Sequence, residues 1–356
     1  MTGTTVDRRR IDTTAAAVWR GGDRIAVERV AVPPLGPADV LVRVRLATVC
    51  GSDRHTVNGR RRQPCPSILG HEAVGEIVAV GHAGRRDVDG RNLHPGQRVI
   101  WSITLPCQTC DRCLAGVTAK CRTVRKAGHE ALDSGWALSG SYAEYVFLPS
   151  NLAIAVVDDD LSDAVAAPAA CATATVMAVI DRAGPLTGRR VIVVGVGMLG
   201  LSAVAAAASA GASAVTAVDP SAERRLLARR FGATDEAASA HDVDSCDVLL
   251  EFSGSSTALQ AGLAALDGQG VAVLAGSVAP DATIALDPEH VVRRQLSIFG
   301  VHNYEPRHLS MALSFLRATH DRFPWAELVA RPRPLAEVAS LLVGSPGPSP
   351  RYSVAP

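Results

Sequence analysis

Residues 107–121 read CQTCDRCLAGVTAKC, which sets Cys107, Cys110, Cys113 and Cys121 in C-x2-C-x2-C-x7-C spacing. Four thiolates gathered on one short loop fill a tetrahedral zinc shell and leave no position for substrate, so the site they form is structural. Iron–sulfur ligation is the competing reading of four cysteines. A nucleic-acid zinc ribbon would need two C-x2-C pairs set further apart. Chemistry must therefore come from elsewhere. The word Gly-His-Glu occurs twice, in LGHEAVGE (69–76) and in AGHEALDS (127–134), and ATVCGSDRH carries Cys50, Ser52, Asp53 and His55. Cys50, His71 and Cys171 lie outside the cysteine cluster and would together offer sulfur, nitrogen and sulfur to a zinc ion with its fourth position open. No local spacing shows that these three converge.

A second site is written in VIVVGVGMLG, where Gly195, Gly197 and Gly200 follow a strand and open a helix. In that context G-x-G-x-x-G has a mechanism. The first glycine makes the turn, the second admits a pyrophosphate, and the third lets helix pack on strand. The helix start at Met198 and Leu199 then faces the phosphates. Asp219 ends the next strand, 22 residues after Gly197. A carboxylate there binds a ribose 2′-hydroxyl and repels a 2′-phosphate, which favours NAD over NADP. Arg224, five residues on, works against that preference.

The elements that must hold these residues change character near residue 165. Before it, DVLVRVRLATV, AVGEIVAVG, GQRVIWSI and YAEYVFLP are short strands broken by Gly and Pro, a mostly-β pattern. After it, RRVIVVGVG, ASAVTAVD, CDVLLEFSG, GVAVLAGS and QLSIFGV alternate with Ala- and Leu-rich helical stretches, which predicts a parallel sheet covered by helices. The alternation stops after Gly300. RHLSMALSFLRA then gives an amphipathic helix, and SPGPSP a loop. The fold class expected is α/β. Domain bounds are placed at 1–165 (with the cysteine lobe at about 105–123), 166–301, and 302–356 returning to the first domain.

Bulk composition narrows the partners. A chain of 356 residues is long enough for two domains. A net charge of +1, with 47% hydrophobic and 20% charged residues, points to neither nucleic acid nor an acidic membrane surface. MTGTTVDRRR has no apolar stretch after its basic residues and reads as no signal peptide. Residues 191–218 carry no charge and are long enough to span a bilayer, yet GVGMLG interrupts them; strand, turn, helix and strand explain them better. Half of the eight cysteines sit within fifteen residues, and without a secretory signal such clustered cysteines read as metal ligands rather than disulfides, in a cytoplasmic protein.

Taken in this order, CGSDRH, GHEAVGE, the four-cysteine lobe and G-x-G-x-x-G resemble the zinc-dependent medium-chain alcohol dehydrogenases over nearly the whole chain. The resemblance implies a GroES-like catalytic domain joined to a Rossmann domain, NAD, and two zinc ions per chain. It implies Cys50, His71 and Cys171 as catalytic-zinc ligands, with Glu72 beside the metal. Cys171 lies 24 residues before Gly195, where the family places its third ligand, and Gly75 and Gly81 follow His71 as the pattern asks. His71 is then the ligand of the two repeated words, and His129 is read as a loop residue, a substrate-side role staying open. By the same resemblance Ser52 passes on the alcohol proton, His55 relays it to solvent, Thr175 contacts nicotinamide and Arg351 lies near the pyrophosphate. A homodimer or homotetramer is expected. Three departures stand out: Gly51 replaces a basic residue near the pyrophosphate, Gln97 an aspartate, and FPWAEL a longer helical tail.

The resemblance implies a small alcohol or carbonyl compound as substrate. NGRRRQP (58–64) falls where the family lines its pocket entrance, so Arg60, Arg61 and Arg62 could bind a phosphonate, phosphate or carboxylate, with a solvated basic turn as the alternative. KAGHEALDSGWALSGSYAEY and GVHNYEPRHLSMALSFL are similar to a subgroup often associated with phosphonate metabolism. Arg61 is the candidate substrate residue. A neutral secondary-alcohol or polyol dehydrogenase is the alternative. A zinc-free enone reductase or a non-catalytic binding protein on this fold would not need the intact cysteine and histidine sets.

Overall fold

The computed structural model describes residues 11–278, 283–344 and 349–356. The N-terminal MTGTTVDRRR and most of the SPGPSP loop lie outside the described residues.

Strand Val40–Thr48 organises the first half. Val, Leu and Ala dominate it, and seven of its nine residues are buried, so it lies inside its sheet. It pairs antiparallel with Ala73–Val80, Tyr145–Leu148 and Ser353–Ala355 in a sheet of seven strands. Its register against Ala73–Val80 shifts twice, between Leu41 and Val42 and between Val44 and Leu46, and such irregularities turn a strand at its end. That end delivers Cys50. A three-stranded sheet of Thr13–Trp19, Ile25–Ala31 and Ser67–Ile68 packs alongside, around Trp101, Trp136 and Tyr142.

The second half is a six-stranded parallel sheet in the order Asp235–Ala237, Ala214–Val218, Arg190–Val194, Cys246–Glu251, Leu266–Leu274, Ser297–Gly300. Strand order reverses beside Arg190–Val194, which opens a crevice at the carboxyl ends of the strands. The uncharged run 191–218 becomes strand, helix Met198–Ser209 and strand Ala214–Val218. Among the described residues no single helix is long and apolar enough to cross a membrane; the bent pair Asp163–Ala170 and Ala172–Ala183 passes that test together, and its apolar residues lie in the core.

Several short strands escape the sequence reading, and two of them show why. Asp235–Ala237 is three residues long, acidic and exposed at the sheet edge, too short for any period to show. Ser353–Ala355, read as tail, closes back on Ala47 and Thr48. Helix Arg307–Thr319 forms where expected and buries His308, Leu309, Ala312, Leu313 and Leu316 on one face. FPWAEL supplies Phe323 and Trp325 to an aromatic cluster with Phe231 and Phe315.

Candidate active site

In the cysteine lobe the Sγ atoms of Cys107, Cys110, Cys113 and Cys121 all lie within 4.8 Å of one another. Cys107 and Cys113 are 4.0 Å apart and Cys110 and Cys121 are 3.9 Å apart. Four sulfurs about 2.3 Å from a tetrahedral zinc stand about 3.8 Å from each other, so the donor set already has the shape the ion needs. No pair is a disulfide. The Thr109 hydroxyl and the amides of Thr109 and Cys110 point at Cys107 Sγ and hold that thiol down at about 5, ready to ligate as thiolate.

A second group brings together Cys50, His71, Glu72 and Cys171, whose ligand atoms also lie within 4.8 Å. They arrive on three separate segments. Cys50 ends the central strand's extension and caps helix Gly51–Val57. His71 and Glu72 lie between Ser67–Ile68 and Ala73–Val80, with the Glu72 carbonyl accepting from Thr48 N at 2.8 Å. Cys171 precedes helix Ala172–Ala183. Hydrogen bonding from the Cys171 thiol holds Cys50 well below its usual value against burial, with Arg351 and His71 helping, while the same contact pushes Cys171 up. Two sulfurs and an imidazole nitrogen in a buried pocket fit a catalytic zinc, whose charge would ionise both thiols.

Residues that touch no metal fix this set. Asp53 Oδ1 lies 3.3 Å from His71 Nδ1, which leaves Nε2 toward the pocket, 3.3 Å from Ser52 Oγ. Asp53 Oδ2 accepts from Tyr142 Oη at 2.8 Å and from the Cys50 amide at 3.3 Å. Burial works against the His71 cation, but Asp53 and then Cys50 outweigh it and raise its pKa well above the usual value. Arg351 grips Glu72 with two nitrogens, at 2.8 and 3.1 Å, and Thr48 Oγ1 donates to the same carboxylate at 2.7 Å. Burial pushes the Glu72 carboxyl up to about 7 and opposes the Arg351 cation too, yet Arg351 is raised by Glu72. The bidentate contact decides for guanidinium and carboxylate. Arg351 thus faces Glu72, with Nη2 3.9 Å from Cys50 Sγ.

The two Gly-His-Glu words meet here. A Cβ on Gly128 would stand 2.3 Å from the Gly70 carbonyl oxygen, so the loops cross with no side chain between them. The His129 ring meets His71 edge-on, centroids 5.3 Å apart. His129 does lie in a loop, but not a solvated one: its Nδ1 is sealed from water without a partner. Among the three arginines, Arg61 is partly buried while Arg60 and Arg62 are exposed. His55 is exposed and Thr175 sits one turn into its helix, half-buried. Gly51 faces open space, and Gln97 still closes its turn by accepting from the His94 amide at 2.7 Å.

At the nucleotide turn the three glycines divide their tasks. Gly195 has φ +85° and lies where a Cβ would strike Ser253; Gly197 opens on empty space; a Cβ on Gly200 would stand 2.0 Å from the Gly195 carbonyl oxygen. The space at Gly197 is what a pyrophosphate would need, in front of the amides of Met198 and Leu199. Asp219 is buried, its Oδ2 accepting from Val196 N at 3.1 Å and lying 3.7 Å from the Arg224 guanidinium.

Sequence reasoning missed Tyr142, Thr48, Lys126 and Tyr304. Tyr142 was visible only as part of a strand. The Tyr304 hydroxyl donates to the Ala170 carbonyl beside Cys171, from a segment where the sequence shows only that the strand–helix rhythm has ended.

Comparison with known proteins agrees with this arrangement. Residues 36–158 match the alcohol dehydrogenase GroES-like domain and residues 198–318 the zinc-binding dehydrogenase family. The 5-exo-hydroxycamphor dehydrogenase of Pseudomonas putida is 29% identical over 343 residues, 92% of this chain and 94% of that protein. An L-threonine 3-dehydrogenase of Pectobacterium carotovorum is 31% identical over 291 residues, 77% and 79% of the two chains. The alcohol dehydrogenase of Thermotoga maritima superposes with a TM-score of 0.88 at 25% identity, covering 97% and 99%. A zinc-binding dehydrogenase of Sinorhizobium meliloti bound to NADP gives 0.86, also at 25% identity, covering 97% and 99%. With two metal-shaped donor sets, a dinucleotide turn and matches along both halves, the chain belongs to the zinc-dependent medium-chain alcohol dehydrogenases and is an oxidoreductase.

Proposed function

We propose that the protein is an NAD-linked dehydrogenase with one catalytic and one structural zinc, which interconverts an alcohol carrying an anionic group with its aldehyde or ketone. One observation carries this reading: Cys50, His71 and Cys171 come together from three distant segments beside a serine hydroxyl. When bound, zinc would supply Lewis acidity that lowers an alcohol's pKa, and NAD would supply the hydride acceptor.

The chain's residues do the rest. Cys50, His71 and Cys171 are the proposed catalytic ligands, with Glu72 held back by Arg351, and Cys107, Cys110, Cys113 and Cys121 hold the structural ion. Ser52 Oγ takes the alcohol proton, and exposed His55 is the group that hands it to water. Gly195, Gly197, Met198, Leu199 and Gly200 receive the pyrophosphate, Asp219 the adenosine ribose and Thr175 the nicotinamide. Arg351 serves the cofactor only from behind Glu72. Arg224, 3.7 Å from the Asp219 carboxylate, reduces discrimination against a 2′-phosphate without abolishing it. Domain limits near 165 and 301, an oligomer of two or four chains, and a reducing cytoplasmic compartment in which all eight cysteines stay free complete the proposal.

Reduction of NAD and NADP is to be followed with neutral alcohols paired with their carboxylate- and phosphonate-bearing analogues. Preference for NAD and for the charged partners is expected. Faster turnover of the neutral partners would favour a secondary-alcohol or polyol dehydrogenase, and no turnover of any alcohol would favour a binding protein.

A further inference from the structure

Beside the Cys50–His71–Cys171 pocket the cleft collects positive charge from three separate elements. Lys126 ends the strand Arg125–Lys126, which pairs antiparallel with Thr104–Leu105. Its ammonium is half-buried, and burial, then Arg61 and Lys120, push its pKa down to about 8. Lys120 ends the turn Thr118–Lys120 in the cysteine lobe, with Nζ 3.1 Å from His302 Nδ1. Both Lys120 and His302 line a cavity of about 550 Å³ with Ser277, Gly300 and Val301, at the carboxyl ends of the parallel strands. Arg61 follows helix Gly51–Val57, and Gln63, two residues on, donates to the Gly128 carbonyl at 2.9 Å. The loops of Arg61 and His129 are thereby tied together.

Among the described residues no carboxylate forms an ion pair with Arg61, Lys120 or Lys126. The Glu305 charge reaches Lys120 through space, but the oxygens of Glu305 and Glu130 are committed to other donors. Glu305 accepts from the amides of Thr118 and Ala119 at 3.0 and 3.1 Å and from the Thr118 hydroxyl. Glu130 accepts from Arg125 at 2.8 Å and from the Lys126 amide at 3.1 Å. Burial, with these cations adding to it, holds the His302 imidazole down at about 4 and therefore neutral. Like charges drawn together and partly stripped of water destabilise a fold unless something negative joins them. The His129 Nδ1, sealed and unpartnered, lacks a partner in the same place.

We propose that Arg61, Lys120 and Lys126 form a subsite for the anionic end of the substrate, a carboxylate, phosphonate or phosphate, with the His129 imidazole standing between that subsite and His71. This rests on the anionic substrate read above and names the groups that select it. The charged end then lies one imidazole beyond the catalytic ligands, which suits a short hydroxy acid or hydroxyalkyl phosphonate. Guanidinium and ammonium donors give an anion charge-assisted hydrogen bonds that a neutral alcohol cannot accept as strongly.

Lys126→Met and Arg61→Met, with Lys126→Arg as a charge-keeping control, test this in the zinc-loaded enzyme. KM for the anionic alcohol is expected to rise about 10- to 100-fold in each Met variant, the size of one lost charge-assisted bond. KM for the neutral partner and for NAD should hold within about twofold, and Lys126→Arg should recover most of the loss. Calorimetric titration with methylphosphonate should show binding to wild type and weaker binding to both Met variants. An anionic preference that survives in both Met variants overturns the subsite while leaving the substrate class intact. A wild type with no such preference overturns the substrate class itself. A rise in KM for NAD with every alcohol reassigns the cations to the cofactor's phosphates and also overturns the proposal.

Discussion

Arg351 is the residue on which the catalytic pocket leans most. It neutralises a fully buried carboxylate and reaches toward Cys50. Removing one partner of a buried pair strands the other charge, so Arg351→Met should cost about 3–5 kcal/mol in a denaturant titration. Cys50→Ser removes a ligand without opening a cavity. Turnover should fall at least 1000-fold and metal analysis should find one zinc fewer, while the melting temperature shifts by only a few degrees. A fully active Cys50→Ser enzyme would overturn the ligand assignment. At Lys126 the sign of the pH dependence follows from a folded pKa of about 8 against about 10.4 unfolded. Between those values the unfolded chain binds more protons, so stability rises with pH across that window. Lys126→Met should therefore stabilise the ligand-free protein at pH 7 and do so less at pH 10. Lys120, whose pKa burial and then Arg112 lower against the pull of Glu305, adds to the rise in the same direction.

At the level of elements, the crossing of loops 69–71 and 127–129 has no slack. Gly128 has φ +71° and no room for a Cβ, so Gly128→Ala should cost about 1–3 kcal/mol and loosen His71, read as zinc lost more readily to a chelator. What the sequence shows of this architecture is what repeats along the chain. Alternation marks the long strands, and fixed spacing marks Gly195, Gly197, Gly200 and the four cysteines of the lobe. Contacts across the fold leave no such trace. Tyr142 reaches Asp53 from 89 residues away, and strand Ser353–Ala355 is too short to carry a period. His129 carries the same local word as His71, yet only the crossing of two backbones shows that the rings touch. Lys126 went unread because the charges around it come from other segments.

For the molecule as a whole, the cysteine lobe reaches past its own four sulfurs. Glu305 binds it to the segment after the parallel sheet, and Lys120 projects from it into the cleft. Cys113→Ser should thus lower the zinc content by one and raise KM for an anionic alcohol more than for a neutral one. Catalytic-zinc occupancy, read by metal analysis, should stay. The two donor sets also differ in how much chain each must gather. The lobe closes within 15 residues, whereas Cys50 and Cys171 are 121 residues apart and Arg351 comes 279 residues after Glu72. Short loops close at little entropic cost, and metal binding is itself folding free energy. With zinc in both donor sets as proposed, the lobe would take its ion as soon as that stretch emerges, while Glu72 beside the second set waits for Arg351. Metal loading would then run in sequence, and chains made where zinc is scarce would fill the lobe first and fail to turn over.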